Sequence, residues 1–230
     1  LLTNLGAGQY GSPIQLATLT YNTNRILHSF DLEGDGDLDI LSKPYDTGVP
    51  GVRAWINNGT GNRVLPLNLW RKRIIDSSIP AIALFVLPGD MDRDGSMDIV
   101  AGGWWYKNPR DIGLTWQRNA IGSPLNTMFL LHDLDGDGRN EVVYTMHQEL
   151  IVADAATGKT KQKVATPEMP ATAEPVYRKF PRGLGDALLF ADFRGVGRAT
   201  DLVLKDRYWH FWAFDSQLNP LWNARANTGH

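Results

Sequence analysis

Apolar residues along this chain come in short bursts separated by polar, glycine-rich breaks. Four bursts stand directly before an acidic or acid-derived cluster: Ile26 to Phe30, Ala83 to Leu87, Met128 to Leu131 and Ala187 to Phe190. Four more follow directly: Ile40-Leu41, Ile99-Val100, Val142 to Tyr144 and Leu202 to Leu204. Aromatic runs come next in three of the units, Arg53 to Asn58, Gly103 to Asn108 and Tyr208 to Phe214, and then runs opening near a tryptophan, Leu69 to Ile75, Thr115 to Ile121 and Leu221 to Arg225. The third unit carries Glu149 to Val164 instead, which reads as a hairpin around Thr157-Gly158. No window sustains apolar spacing at i, i+3 and i+4, so the bursts predict strands rather than helices.

The clusters between the first and second bursts begin at Asp31, Asp90, Asp133 and Asp192. Four short strands in each unit of about 40 to 60 residues is the arithmetic of a propeller blade. The expected fold is all-β, a β-propeller of four-stranded antiparallel blades spanning residues 1–230 as a single segment. Blades are expected at 24–76, 82–122, 126–166 and 186–226, with half a blade at 1–20, because Leu1 to Leu16 is similar to Ala54 to Trp70. That makes about four and a half blades, an incomplete ring whose remaining blades are expected outside this sequence. Residues 167–185, rich in proline, are expected to be an inter-blade insertion.

Composition narrows the partners. Lys and Arg number 23 against 25 Asp and Glu. That balance argues against a nucleic-acid binder, and the lack of an apolar run of about 18 residues argues against membrane insertion through a helix. Cysteine is absent, which removes thiol catalysis, disulfides and Cys-ligated zinc. Neither a phosphate loop nor a nucleophile elbow occurs in the chain.

Like charges packed into nine residues repel one another unless a cation sits among them. Oxygens at turn positions 1, 3, 5, 7 and 9 suit a hard cation such as calcium, which takes six to eight of them. The expected ligands are Asp31, Glu33, Asp35, the Asp37 carbonyl and Asp39 in the first turn. In the second they are Asp90, Asp92, Asp94, the Ser96 carbonyl and Asp98, and in the third Asp133, Asp135, Asp137, the Arg139 carbonyl and Glu141. This gives about three calcium sites. Glycine at position 6 (Gly36, Gly95, Gly138) is expected to take positive φ. The fourth turn has Arg194 and Val196 at ligand positions and is expected to be an empty turn held by hydrogen bonds. An EF-hand is excluded, since position 12 is Ser42, Ala101 or Tyr144 and strands follow.

The stretches DLEGDGDLDI, DMDRDGSMDIV and DLDGDGRNEVV, with NNGTGN and GGWWYKNP, resemble FG-GAP/VCBS repeats, the units of integrin-α-type propellers. The resemblance covers essentially the whole chain. It implies a calcium-stabilised, secreted, cell-surface or periplasmic propeller that binds carbohydrate or a cell-surface protein. The stretch DLVLKDRYWHFWAFDSQLNPLW with NTGH is similar to secreted polysaccharide lyase propellers of the rhamnogalacturonan and ulvan lyase kind.

Two functions follow. A binding module would use Trp104, Trp105, Tyr106 and Trp209 against sugar rings, although filling the space between sheets is the commoner use of such residues. A lyase acting by β-elimination on a uronate polymer needs a base and a charge neutraliser, for which Arg207, Tyr208 and His210 are candidates, with Lys205 and His230 in reserve. Strand alternation through that segment would put Lys205, Arg207 and Trp209 on one side and Tyr208 and His210 on the other. His28, His132 and His147 are expected to be structural.

Overall fold

The computed structural model describes residues 4–6, 9–10, 24–44, 51–57, 70–78, 85–121, 129–169, 182–183, 185, 187–206 and 210–226. A small ribbon pairs β1 (Asn4–Gly6) with β2 (Gln9–Tyr10). Four four-stranded antiparallel sheets follow in chain order. The first holds β3 (Asn24–Phe30), β4 (Asp39–Pro44), β5 (Val52–Ile56) and β6 (Arg71–Asp76). The second holds β7 (Val86–Gly89), β8 (Asp98–Ala101), β9 (Trp104–Lys107) and β10 (Gln117–Ala120). The third holds β11 (Phe129–His132), β12 (Glu141–Met146), β13 (Glu149–Asp154) and β14 (Thr160–Ala165), and the fourth β15 (Ala187–Ala191), β16 (Asp201–Lys205), β17 (His210–Phe214) and β18 (Pro220–Arg225). Each sheet is a simple meander in which sequence neighbours pair. With no helix among the described residues, the fold is an all-β β-propeller.

The core lies between sheets, and the two-residue period of the strands decides which neighbour each side chain meets. In β8, Ile99 and Ala101 pack toward the first sheet with Leu41, Val52, Ile56 and Tyr106. Val100, between them, packs the other way with Val142, Tyr144 and Ile151 of the third sheet. In β12 the alternation repeats: Val143 joins Leu188, Leu202, Leu204 and Phe214 of the fourth sheet. Each such side chain contributes about 1.5–3 kcal/mol on burial, so the sheets are held chiefly by their faces.

The aromatics proposed for sugar stacking mostly serve this purpose. Trp105 and Tyr106 are buried, at 6% and 1% exposure. Trp104 packs at the edge of the core under the Arg118 guanidinium, 5.5 Å from its ring centre. Trp209 lies outside the described residues. A polar network joins the first sheet to the second: the Tyr106 hydroxyl and Arg118 Nη1 each donate to Asp76 Oδ2 at 3.0 Å. The long segment before the fourth sheet is described only in part, where Glu168 bridges to Arg182.

Candidate functional site

All four turns that carry the acidic repeat join the first strand of a sheet to its second, so they occupy the same end of their sheets. One set of bonds builds them. The first aspartate folds back over the amides that follow. Asp31 accepts from Gly36 N at 2.9 Å, Asp90 from Gly95 N at 3.0 Å, Asp133 from Gly138 N at 3.1 Å and Asp192 from Gly197 N at 2.8 Å. Those four glycines take φ of 91°, 84°, 80° and 80°, a region that side-chain-bearing residues avoid. Position 4 is left-handed as well, and in the second turn it is Arg93, at φ 63°.

The last acid of each turn is sealed inside: Asp39 is 1% exposed, Asp98 0%, Glu141 1% and Asp201 0%. Each accepts the N–H of its turn's second residue, from Leu32 at 2.8 Å, Met91 at 2.9 Å, Leu134 at 2.8 Å and Phe193 at 2.8 Å. Seventh-position residues are fixed by their own amides: Asp37 N donates to Asp35 Oδ1, Ser96 N to Asp94 Oδ1 and Arg139 N to Asp137 Oδ1.

These bonds bring some of the expected ligands together and leave others apart. Oxygens of Asp90, Asp92 and Asp94 lie within 4.8 Å of one another, as do those of Asp133, Asp135 and Glu141. Asp98 stands back because its two oxygens accept from Met91 N and Asn108 N. In the first turn Glu33 shares a hydrogen bond with Asp39 instead of joining a triad of close carboxylates.

Burial, the Asp39 hydrogen bond and the charges of Asp39, Asp35 and Asp37 push the Glu33 carboxyl up to about 8. Burial, with Asp92 and Asp94 nearby, pushes Asp98 up to about 6 against its two amide bonds. Glu33 Oε2 is buried and has no hydrogen-bonding partner among the described residues. Such an atom, in a set made only of hard oxygen donors, fits a cation of the calcium type.

Sequence reasoning missed the cations that the fold itself delivers. Lys107, ending β9, ion-pairs with Asp92 and reaches Asp94 at 3.0 Å. Lys161, on β14, reaches Glu141 at 2.6 Å, Asp135 at 2.9 Å and Asp137 at 3.6 Å. The bonds to Asp92 and Asp94 hold the Lys107 ammonium above its ordinary range. Burial depresses the Lys161 ammonium, but the bonds to Glu141 and Asp135 outweigh it and raise it. In the fourth turn Arg194 Nε donates to Asp201 Oδ1 at 2.7 Å.

Between the first and second turns a cavity of about 520 Å³ opens. Asp31, Glu33 and Asp94 line it, together with Ser96, Met97 and Arg110. Arg110 bridges its floor, donating to Ser96 Oγ at 3.1 Å and to the Asp94 carbonyl at 2.7 Å.

The residues considered for β-elimination are arranged differently from the sequence expectation. Lys205 and His210 do not share a strand. Lys205 ends β16 and pairs with Phe211 of β17, because the chain reverses between them, closed by the bond from Asp206 N to the His210 carbonyl. His210 is 7% exposed, with Nδ1 3.0 Å from Asp206 Oδ2 and its ring stacked on Trp212 at 5.7 Å. Lys205 Nζ donates to the Asp206 carbonyl at 2.9 Å. Arg207, Tyr208 and His230 lie outside the described residues. Of the histidines expected to be structural, His132 lies against Phe190 with ring centres 4.7 Å apart and the rings tilted by 34°, and His147 stands in the tight turn before β13 at φ 52°.

Comparison with known proteins agrees with this geometry. Residues 31–101, which span the first two acidic turns, match the FG-GAP-like repeat. Among solved structures, a lectin from Agrocybe aegerita, described as specifically recognising non-reducing terminal N-acetylglucosamine, superposes with a TM-score of 0.58 at 18% identity. The alignment covers 98% of this chain and 59% of the lectin, so the chain spans less than two thirds of that neighbour's length. The Photorhabdus luminescens Tc holotoxin pore aligns over 90% of this chain and 10% of its own, at 18% identity and a TM-score of 0.42. No curated protein matches the chain by sequence.

Proposed function

We propose that this protein is a calcium-stabilised binding propeller, working outside the cytoplasm, whose ligand is a carbohydrate. The observation that carries the reading is the cavity between the first and second acidic turns. Its volume of about 520 Å³ falls in the range of small-molecule sites. Carboxylates and the Arg110 guanidinium around it offer acceptors and donors to hydroxyl groups, and Met97, 44% exposed, offers an apolar wall. A similar fold serving a lectin supports testing sugars before proteins.

In the first, second and third turns Asp31, Asp90 and Asp133 with their neighbouring carboxylates would hold calcium, giving about three sites. The ion would supply positive charge that offsets the repulsion of four or five acids in one turn. Calcium sites of extracellular modules work at Kd values of about 10⁻⁴–10⁻³ M, and turns of this kind would be filled in a secreted, cell-surface or periplasmic setting.

Cleavage of a uronate polymer is the weaker reading. Its base must reach solvent and substrate, whereas His210 is enclosed by Asp206 and Trp212. The test is to incubate the protein, with and without calcium, with a panel of glycans that includes terminal N-acetylglucosamine and uronate polymers. Saturable binding weakened by Arg110→Ala, without unsaturated-uronate absorbance, is the expected result. New absorbance would establish the lyase, and no binding to any glycan would refute the carbohydrate reading.

A further inference from the structure

Two lysines from different strands enter two different acidic turns, and both land on the carboxylates that converge. Lys107 Nζ contacts Asp92 and Asp94, two of the three acids whose oxygens gather in the second turn. Lys161 Nζ contacts Asp135 and Glu141, two of the three that gather in the third. In the first sheet Ile40 pairs with Trp55 as Ile99 pairs with Tyr106 in the second, which makes Ile56 the counterpart of Lys107. Ile56 is 3% exposed and belongs to the core.

We propose that Lys107 and Lys161 are tethered counter-cations: each ammonium offsets part of its turn's negative charge until a divalent ion displaces it, so these two side chains tune the ion affinity of the second and third turns. This rests on the calcium reading of the turns. A calcium ion sits about 2.3–2.6 Å from its oxygens. An ammonium already 2.6 Å from Glu141 and 2.9 Å from Asp135 would then lie within a few ångströms of it and be repelled. Lysine suits the exchange, because its charge rides on a flexible stem and is readily rehydrated. The side chains keep 36% and 28% exposure, so each ammonium has a path to water. Arg194 marks the permanent form of the same device: its guanidinium is bound to the fully buried Asp201, and Val196 replaces a carboxylate.

The experiment is calcium titration by calorimetry on the whole chain, with thermal melting in chelator as the second readout. The variants are Lys107→Met and Lys161→Met, with Lys161→Gln as a neutral replacement that keeps a donor should the methionine variant unfold. Lys163→Met is the control, since Lys163 pairs with Glu149 at 2.9 Å instead of with a turn. Lys107→Met and Lys161→Met are each expected to tighten one site about tenfold or more and to melt lower than wild type in chelator, while Lys163→Met changes neither. Unchanged affinities in both variants, with calcium still bound, would overturn the counter-cation role and leave the calcium reading standing. An absence of binding heat in wild type and all variants would overturn both.

Discussion

Arg194 donates to Asp201 across 2.7 Å, and the acid it meets is completely buried. Asp201 also accepts the amides of Phe193 and Arg194, so the fourth turn closes on protein donors alone. Arg194→Ala strips the only charged donor that Asp201 has among the described residues. It is expected to cost about 1–3 kcal/mol in urea unfolding, the range for a hydrogen bond to a buried charged group. Calcium stoichiometry, measured alongside, is expected to stay at the wild-type value; loss of an ion would show that the fourth turn is a metal site.

Asn108 ties the second sheet to the first turn. Its Nδ2 donates to the Leu32 carbonyl at 2.8 Å and the Met97 carbonyl at 2.9 Å, with the side chain 4% exposed. Asn108→Ala leaves the buried Leu32 carbonyl, and the Met97 carbonyl beside it, without that donor and is expected to lower stability by about 1–3 kcal/mol. Chemical denaturation checks it, and a change below about 0.5 kcal/mol would show that the link is not needed.

Acid should weaken the seam between the first two sheets. Burial pushes the Asp76 carboxyl up, but donors from Ser78, Tyr106 and Arg118 outweigh it and hold the group below the ordinary carboxylate range. A depressed folded value means the stabilisation is complete above the ordinary aspartate range and is lost as pH falls through the folded value. Tyr106→Phe removes one of those donors. Its stability deficit against wild type is expected to be larger at neutral pH than at about pH 3, and an equal deficit at both would refute the charge dependence.

Gly158 turns the β13–β14 hairpin at φ 72°, pressed against the second sheet: a Cβ there would lie 1.9 Å from the Ile121 carbonyl oxygen. Backbone cannot yield as a side chain can. Gly158→Ala therefore combines left-handed strain of about 1–2 kcal/mol with a steric clash, and is expected to cost about 2–4 kcal/mol in thermal or urea unfolding. A cost under about 1 kcal/mol would show that the two sheets separate easily at this point.

Much of the architecture was legible because each strand carries its own signal. The apolar bursts flanking each acidic turn became β3 and β4, β7 and β8, and their counterparts, and the glycine at position 6 adopted positive φ. Local rules failed where pairing decides. Nothing near Glu141 in sequence announces Lys161, and only the β13–β14 hairpin brings it there. Arg93 hides a left-handed position behind a residue that rarely takes one, and its guanidinium then donates to the Gly138 carbonyl of the neighbouring turn. Lys205 and His210 read as one alternating strand because a polar segment between two apolar bursts lacks a glycine or proline to mark the reversal.

Thermal unfolding of one sample in calcium and in excess chelator tests the central claim most directly, namely that the acidic turns hold divalent ions that fasten the sheets. Each site adds about 2.7 kcal/mol when calcium stands a hundredfold above its Kd, so the melting midpoint is expected to rise in calcium by about 5 °C or more. Superimposable melting curves in calcium and in chelator would contradict it.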